Sequence, residues 1–281
     1  MDVVTGAGGF IGSNLVERLN SPILCDIKGA DFTDPSSLFD VLEDRKPDTI
    51  YHLGAISATT VHNSVDLVEN NILLSCRLLE YCINNDINFV YASSASVYGL
   101  GESGFKEDTI TKPLNYYANS KICFDFFAQQ KIIDNPTAKV VGLRYFNVYG
   151  KNEHLKETGA SPIHKFFNQA KTTNKIKLFE GSTGFLRDFI HVDDVVDITK
   201  KSINFNSGIY NVGTGKANSF ETVAQLISNL TGAQIEQIPF PKHLVGKYQH
   251  YTCSDNTKIN STGCSTKRLT LEEGIARTID V

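Results

Sequence analysis

No stretch of this 281-residue chain approaches the roughly 20 consecutive apolar residues that a membrane-spanning helix needs. A cationic excess is also missing. The 27 Lys and Arg against 31 Asp and Glu leave a formal net charge of −4, with no basic footprint for nucleic acid or anionic lipid. The six cysteines (Cys25, Cys76, Cys82, Cys123, Cys253, Cys264) include no C-x-x-C pair, and the seven histidines show no zinc-like spacing. Neither a disulfide framework nor a metal centre is expected, and the thiols read as buried groups in a reducing cytosol. There is no low-complexity tract and no internal repeat. The chain starts directly on an apolar strand, so no signal peptide is expected. What remains is an ordinary globular composition, 41% hydrophobic and 21% charged, long enough for one large α/β unit or two lobes.

The first dozen residues organise the rest. Val3-Val4-Thr5 runs into Gly6-Ala7-Gly8-Gly9, and Phe10 onward reads as an amphipathic helix to about Leu19. Gly6, Gly9 and Gly12 stand at G-x-x-G-x-x-G spacing. The first permits a tight turn, the second lets backbone approach a pyrophosphate, and the third lets helix and strand pack closely. A diphosphate would rest on the free N–H groups of the helix N-terminus. The next apolar run, Pro22-Ile23-Leu24-Cys25, ends on Asp26, where a dinucleotide site holds the adenosine ribose.

Strands then alternate with helices, the pattern of a doubly wound parallel α/β sheet. A helix with Pro35 in its first turn, capped by Thr33 or Asp34, reaches about Arg45. Thr49 to Leu53 reads as the third strand. A long helix from about Val65 to Asn85 turns Leu67, Ile72, Leu74, Leu78, Leu79 and Cys82 toward the sheet. Phe89 to Ala92 is the fourth strand, a helix spans about Tyr117 to Lys131, and Lys139 to Leu143 is the fifth strand. Beyond Asn147 the alternation breaks, and polar residues 151–160 read as a substrate-side segment or lid. A helix at Asp193–Phe205 and a strand at Ile209–Val212 return to the sheet, and the remainder builds a smaller C-terminal α/β lobe. The expected division is 1–155 with about 186–212 for the dinucleotide, and about 156–185 with 213–281 for the substrate. The segments after Leu53, Ala92 and Leu143 all face one crevice at the carboxyl ends of the strands.

Tyr117 and Lys121 are four residues apart, so on a helix they share a face. A free phenol has a pKa of about 10, and an adjacent ammonium together with an oxidised nicotinamide is expected to pull it down. Ser94, at the end of the neighbouring strand, supplies a hydroxyl for the substrate oxygen. The spacing alone means little, because with eleven tyrosines roughly one such pair arises by chance. The order carries the weight: glycine turn, acidic strand end, Ser94, then Tyr117 and Lys121. His52, on an apolar strand, reads as a satisfied core histidine.

That order resembles the extended short-chain dehydrogenase/reductase family, with its Rossmann fold, over essentially the whole chain. The matching stretches are Thr5–Gly12, Tyr91–Gly99, Tyr117–Lys121 and Arg187–Val195. Narrower stretches, Gly54–Thr60, Arg144–Gly150, Leu178–Ser182 and Gly246–Gln249, are similar to the branch of nucleotide-sugar enzymes that epimerise C6 of ADP-linked glycero-manno-heptose. The resemblance implies cofactor contacts at Gly6, Gly9, Phe10, Ile11, Gly12, Asp26, Ile27, Asp31, Leu53, Gly54, Ala55, Ile56, Ser57, Asn70, Tyr117, Lys121, Val148 and Lys156. It implies substrate contacts at Ser94, Asn147, Thr158, Phe179, Glu180, Gly181, Ser182, Arg187 and Tyr248. Catalysis falls to Ser94, Tyr117, Lys121 and Lys156, with Tyr117 and Lys156 as two acid/bases on different sides of a transient ketone.

By the same resemblance the cofactor is tightly bound NADP, the substrate an ADP-heptose for lipopolysaccharide inner-core precursors, and the enzyme a homo-oligomer of the bacterial cytoplasm. Several residues depart from the pattern. The connection after Asp26 is shorter than the family's and loses part of its lysines for the adenosine 2′-phosphate, leaving Lys28, while an Asp26 carboxylate suits NAD. Leu155 and Glu157 flank Lys156 where the family has His and Gly. Ala95-Ser96 replaces the Asp-Glu pair that a 4,6-dehydratase needs. The alternatives are a UDP- or GDP-sugar epimerase of the same fold, or a dinucleotide-binding sensor without turnover.

Overall fold

The structure is a computed structural model of the chain, and it describes residues 1–26, 35–57, 64–101, 104–156, 159–241, 249–264 and 267–279. The first half builds β1 (Asp2–Thr5), α1 (Phe10–Val16), β2 (Ile23–Cys25), α2 (Pro35–Arg45) and β3 (Thr49–His52). One continuous helical run follows, made of α3 (Ser64–Leu67), a π-helical turn (Val68–Leu73) and α4 (Leu74–Asn84). Next come β4 (Asn88–Ser94), α5 (Tyr116–Asp134), β5 (Val140–Tyr145) and β6 (Asn147–Tyr149). The second half holds α6 (Pro162–Thr173), β7 (Lys175–Phe179), β8 (Leu186–His191), α7 (Val192–Lys201) and β9 (Gly208–Val212). It continues with β10 (Ala217–Ser219), α8 (Phe220–Thr231), β11 (Gln234–Ile238), α9 (Thr257–Asn260) and α10 (Leu271–Ile279).

Among the described residues, six strands form the main sheet in the order β2-β1-β3-β4-β5-β9, all parallel. The α/β doubly wound expectation is met. Against the common order 3-2-1-4-5-6, among the described residues no strand flanks β2 on its outer side, and β2 is the edge. Alternating residues feed the two faces, as a pleat with period two requires. Val4, Tyr51 and Val90 pack with Leu15, Val195 and Ile198 of α1 and α7 on one side. Val3, Ile50 and Phe89 pack with Leu42, Leu78, Leu79 and Phe124 of α2, α4 and α5 on the other. A separate cluster joins Ile163, Phe166, Ile176, Leu178, Phe220, Ile227 and Ile275 around the parallel pair β7–β11.

Three local expectations are corrected. Helix α1 stops at Val16 because Arg18 and Leu19 tighten into i→i−3 bonds to Leu15 and Val16. The helix before β4 does not turn Ile72 and Leu74 fully inward. They are half-buried, and Asn71 and Ser75 take the buried places. Leu67, Asn71, Ser75 and Leu79 follow at steps of four, which in a plain α-helix drift by about 40° each around the axis. The wider π turn absorbs that surplus and keeps the line on the sheet. Among the cysteines, Cys123 is exposed and Cys76 half-buried, because α4 and α5 leave one face to solvent. No helix among the described residues is long and apolar enough to cross a membrane.

Candidate active site

The parallel register brings the carboxyl ends of β1, β3, β4 and β5 into one row, with Thr5 beside His52 and Ser94 beside Tyr145. At β1 the glycine turn closes tightly. Gly6 has φ +71°, and a Cβ there would stand 2.5 Å from the Gly54 nitrogen. A Cβ on Gly12 would lie 2.0 Å from the Gly6 carbonyl oxygen, so α1 leaves the strand at a distance only glycine allows. The N–H groups of Phe10, Ile11 and Gly12, the first of α1, have no partner inside the helix. Gly8 N–H donates to the Asp26 carboxylate at 2.7 Å, which draws the β2 end against the turn. A glycine cradle with unpaired first-turn N–H groups and a carboxylate at the second strand fits a dinucleotide. Ile27 and Asp31 lie outside the described residues.

Ser94 ends β4 and accepts from Ser96 N–H at 3.2 Å, capping a short 3-10 turn. Asn115 caps α5 by accepting from Ala118 N–H at 2.8 Å, and this starts the helix in the phase that turns Tyr117 and Lys121 to the crevice. The Ser94 hydroxyl stands beside the Tyr117 phenol, near enough to act on its ionisation. Lys121 is buried and donates to the Ala92 carbonyl at 2.9 Å. Burial lowers its pKa to about 8, while the carboxylate of Asp125 works the other way. The phenol does not follow the expectation. Burial raises the pKa of Tyr117, the neighbouring Ser94 hydroxyl opposes that, and the charge of Asp125 adds to it. Lys121 spends its charge on the strand-end carbonyl, so desolvation decides the direction at the phenol.

Lys156 follows a 3-10 turn, Glu153–Leu155, that gives order to part of the segment expected to be irregular. Its ammonium lies over the Phe10 ring, 4.8 Å from the centroid, at the mouth of the glycine turn. Burial lowers its pKa, against the pull of Glu153. Glu153 is itself buried, accepting from Ser161 N–H at 2.6 Å and from the Ser161 hydroxyl at 3.0 Å. The expected acid/base lysine and the cofactor residue Phe10 are thus side by side.

The expected substrate residues gather on β6, β7 and β8. Asn147 donates to the Asp188 carbonyl at 3.3 Å and to the Thr252 hydroxyl at 3.1 Å, so its amide also holds the C-terminal segment. Arg187 is buried, with N–H groups on the carbonyls of Leu186 (3.0 Å) and Gln249. Its guanidinium packs over the Phe220 ring. Ser182 is buried and donates to the Phe179 carbonyl, around Gly181 at φ +77° and the exposed Glu180. Val148 is buried in β6, and Asn70 sits in the π turn, donating to the Asp66 carbonyl at 2.8 Å. Leu53, Gly54, Ala55 and Ile56 line the end of β3 half-buried, with Ser57 exposed. Thr158 and Tyr248 lie outside the described residues.

Several residues at the site escaped the sequence reading. Asn71 bonds both backbone groups of Ile56, at 2.9 and 3.0 Å. His52, by contrast, meets its expectation as a satisfied core histidine and is bonded on both ring nitrogens, by Thr5 at 2.7 Å and Ser75 at 2.9 Å. Asp188 accepts from Thr214, Gly215 and Ser254. Asn71 lies in none of the matching stretches, and the stretch that holds Asp188 does not name its partners, which come from far along the chain.

Known proteins resemble the chain over its whole length. Residues 3–213 match the NAD dependent epimerase/dehydratase family. The ADP-L-glycero-D-manno-heptose-6-epimerase of Brachyspira hyodysenteriae is 39% identical, with 100% of this chain and 97% of that protein covered. That of Alkalilimnicola ehrlichii is 38% identical with the same coverage. Among solved structures, Helicobacter pylori ADP-L-glycero-D-manno-heptose-6-epimerase superposes with a TM-score of 0.87 at 29% identity, covering 99% of this chain and 94% of that one. Thermus thermophilus UDP-glucose 4-epimerase in complex with NAD also gives a TM-score of 0.87, at 26% identity and with 100% and 98% covered. With the glycine turn, the neighbouring Ser94 and Tyr117 and the buried Lys121 in place, the chain belongs to the NAD dependent epimerase/dehydratase family.

Proposed function

We propose that the protein inverts C6 of an ADP-linked glycero-manno-heptose, by oxidation to a ketone and reduction from the opposite face. The observation that carries this reading is the Tyr117 phenol beside the Ser94 hydroxyl at the strand ends, with the buried Lys121 on the same helix. The full-length identity of 39% to a heptose epimerase supports the choice of substrate. When bound, a nicotinamide dinucleotide supplies the hydride acceptor and donor, so the cycle needs no external turnover. Tyr117 moves the proton of the C6 hydroxyl in one orientation, and Ser94 holds that oxygen. Lys156, beside Phe10, moves the proton in the other orientation, and its lowered pKa brings it nearer to neutral working conditions. Lys121 keeps a buried positive charge at the base of the phenol.

In this reading residues 1–155 with about 186–212 hold the dinucleotide, and 156–185 with 213–281 hold the sugar nucleotide. The resemblance points to NADP, and the Asp26 carboxylate, with the short connection behind it, to NAD. A homo-oligomer is supported by an exposed stripe on α5, where Tyr116, Phe126 and Ile133 are 57%, 64% and 69% exposed. Beside it Val65, Val68 and Leu73 on the α3–α4 run are also exposed. The test is an NMR assay of ADP-heptose with purified enzyme, with UDP-glucose as the competing substrate. Inversion at C6 is expected, and inversion of UDP-glucose alone would move the activity to another nucleotide sugar. Identification of the dinucleotide released on denaturation decides between NADP and NAD.

A further inference from the structure

We infer that Asn71 is a positioning residue of this reaction: its buried amide ties the segment after β3 to the helix of Tyr117 and Lys121. The inference rests on reading Leu53–Ser57 as a dinucleotide contact. Asn71 is 1% exposed. Its Oδ1 accepts from Ile56 N–H at 2.9 Å, and its Nδ2 donates to the Ile56 carbonyl at 3.0 Å and to Ser120 Oγ at 3.0 Å. Both amide protons and the amide oxygen are therefore used. Ser120 passes its own proton to the Tyr117 carbonyl at 2.8 Å. One side chain thus grips the β3 segment by both backbone groups of one residue and reaches the backbone of the phenol-bearing turn through one hydroxyl.

A second branch locks the same piece from below. Ser75 Oγ donates to the Asn71 carbonyl at 2.9 Å, so its proton is committed and its oxygen must accept from His52 Nε2. His52 Nδ1 then accepts from the Thr5 hydroxyl, and Thr5 Oγ1 accepts from Gly54 N–H at 3.2 Å. The direction of every proton in this chain is set by the fact that each hydroxyl has only one to give. Gly54 and Ile56 are therefore both pinned, one from each branch, and both branches meet at Asn71. The π turn makes the junction possible, because it keeps Asn71 and Ser75 in line with the sheet.

The consequence is a rigid spacing between the dinucleotide segment and the phenol. Hydride and proton leave the same carbinol, so an error in that spacing costs rate even when both partners are bound. The test measures the dinucleotide Kd by equilibrium dialysis with NAD(H) and NADP(H), kcat and KM for ADP-heptose, and Tm. In Asn71→Ala the side-chain grip on Ile56 and the link to Ser120 are lost, while the backbone carbonyl that Ser75 bonds is kept. Dinucleotide binding is expected to weaken by about tenfold or more and kcat to fall, with KM within about twofold. In Ser120→Ala, which leaves the grip on Ile56 intact, kcat is expected to fall with Kd within about twofold. A merely structural role predicts a lower Tm with Kd and kcat unchanged in Asn71→Ala, and that result overturns the inference. If Asn71→Ala does not fold, an unchanged kcat in Ser120→Ala overturns it alone. Wild-type protein that binds no dinucleotide at all would instead sink the reading of the site.

Discussion

Acidification offers a direct check on the buried histidine that closes this network. His52 is 4% exposed, and burial with the nearby Lys121 charge pushes its pKa down to about 3 from 6.5. A depressed folded value means that the unfolded chain takes up the proton first as the pH falls. Stability from this group is therefore complete above about pH 6.5 and is lost as the pH drops toward 3. Between pH 7 and pH 5 the loss is about 2 kcal/mol, and it changes little if the folded value lies a unit higher. Physically, a second ring proton would face the Thr5 hydroxyl, which would have to surrender its own hydrogen bond. Urea unfolding at both pH values measures this, followed by far-UV circular dichroism because the chain has no tryptophan. His52→Gln removes the titration and leaves all other groups in place. Wild type is expected to lose about 2 kcal/mol more than the variant on going from pH 7 to pH 5. Equal losses would show that the ring is already protonated or reachable by water, and the proton directions drawn for the network would be wrong.

Four further outcomes are expected. Tyr117→Phe should lose C6 inversion by at least about a hundredfold while still co-purifying with dinucleotide, checked by NMR and by absorbance of the released cofactor. Gly12→Ala would place a Cβ at 2.0 Å from the Gly6 oxygen, so it should destabilise by about 1–3 kcal/mol in urea and release the dinucleotide. Phe126→Glu puts a charge into the exposed α5 stripe and should shift the assembly toward monomers by light scattering, without changing the secondary structure seen by circular dichroism. Lys121, with its folded pKa at about 8 against 10.5, carries a buried charge that costs stability below pH 8. Its contribution should therefore improve as the pH rises from 8 to 10.5, an upward slope that Lys121→Met removes in urea titrations.

Much of this protein is written in local sequence. The glycine spacing at Gly6, Gly9 and Gly12, the alternation of apolar runs with helices, and the four-residue step from Tyr117 to Lys121 are all short-range patterns. Backbone sterics and helix periodicity convert such patterns into structure without knowledge of the rest of the chain. The sheet class, the crevice and the meeting of Ser94 with Tyr117 follow from them. The direction of the Tyr117 pKa does not, because desolvation depends on everything packed around the phenol. Nor does the burial of Asn71 and Ser75 in place of Ile72 and Leu74, since a plain helical period misplaces them and only contact with the sheet selects the π turn. The placement of Lys156 over Phe10, and the proton chain from Gly54 to Asn71, join residues from distant parts of the sequence. Only the assembled fold brings them within reach.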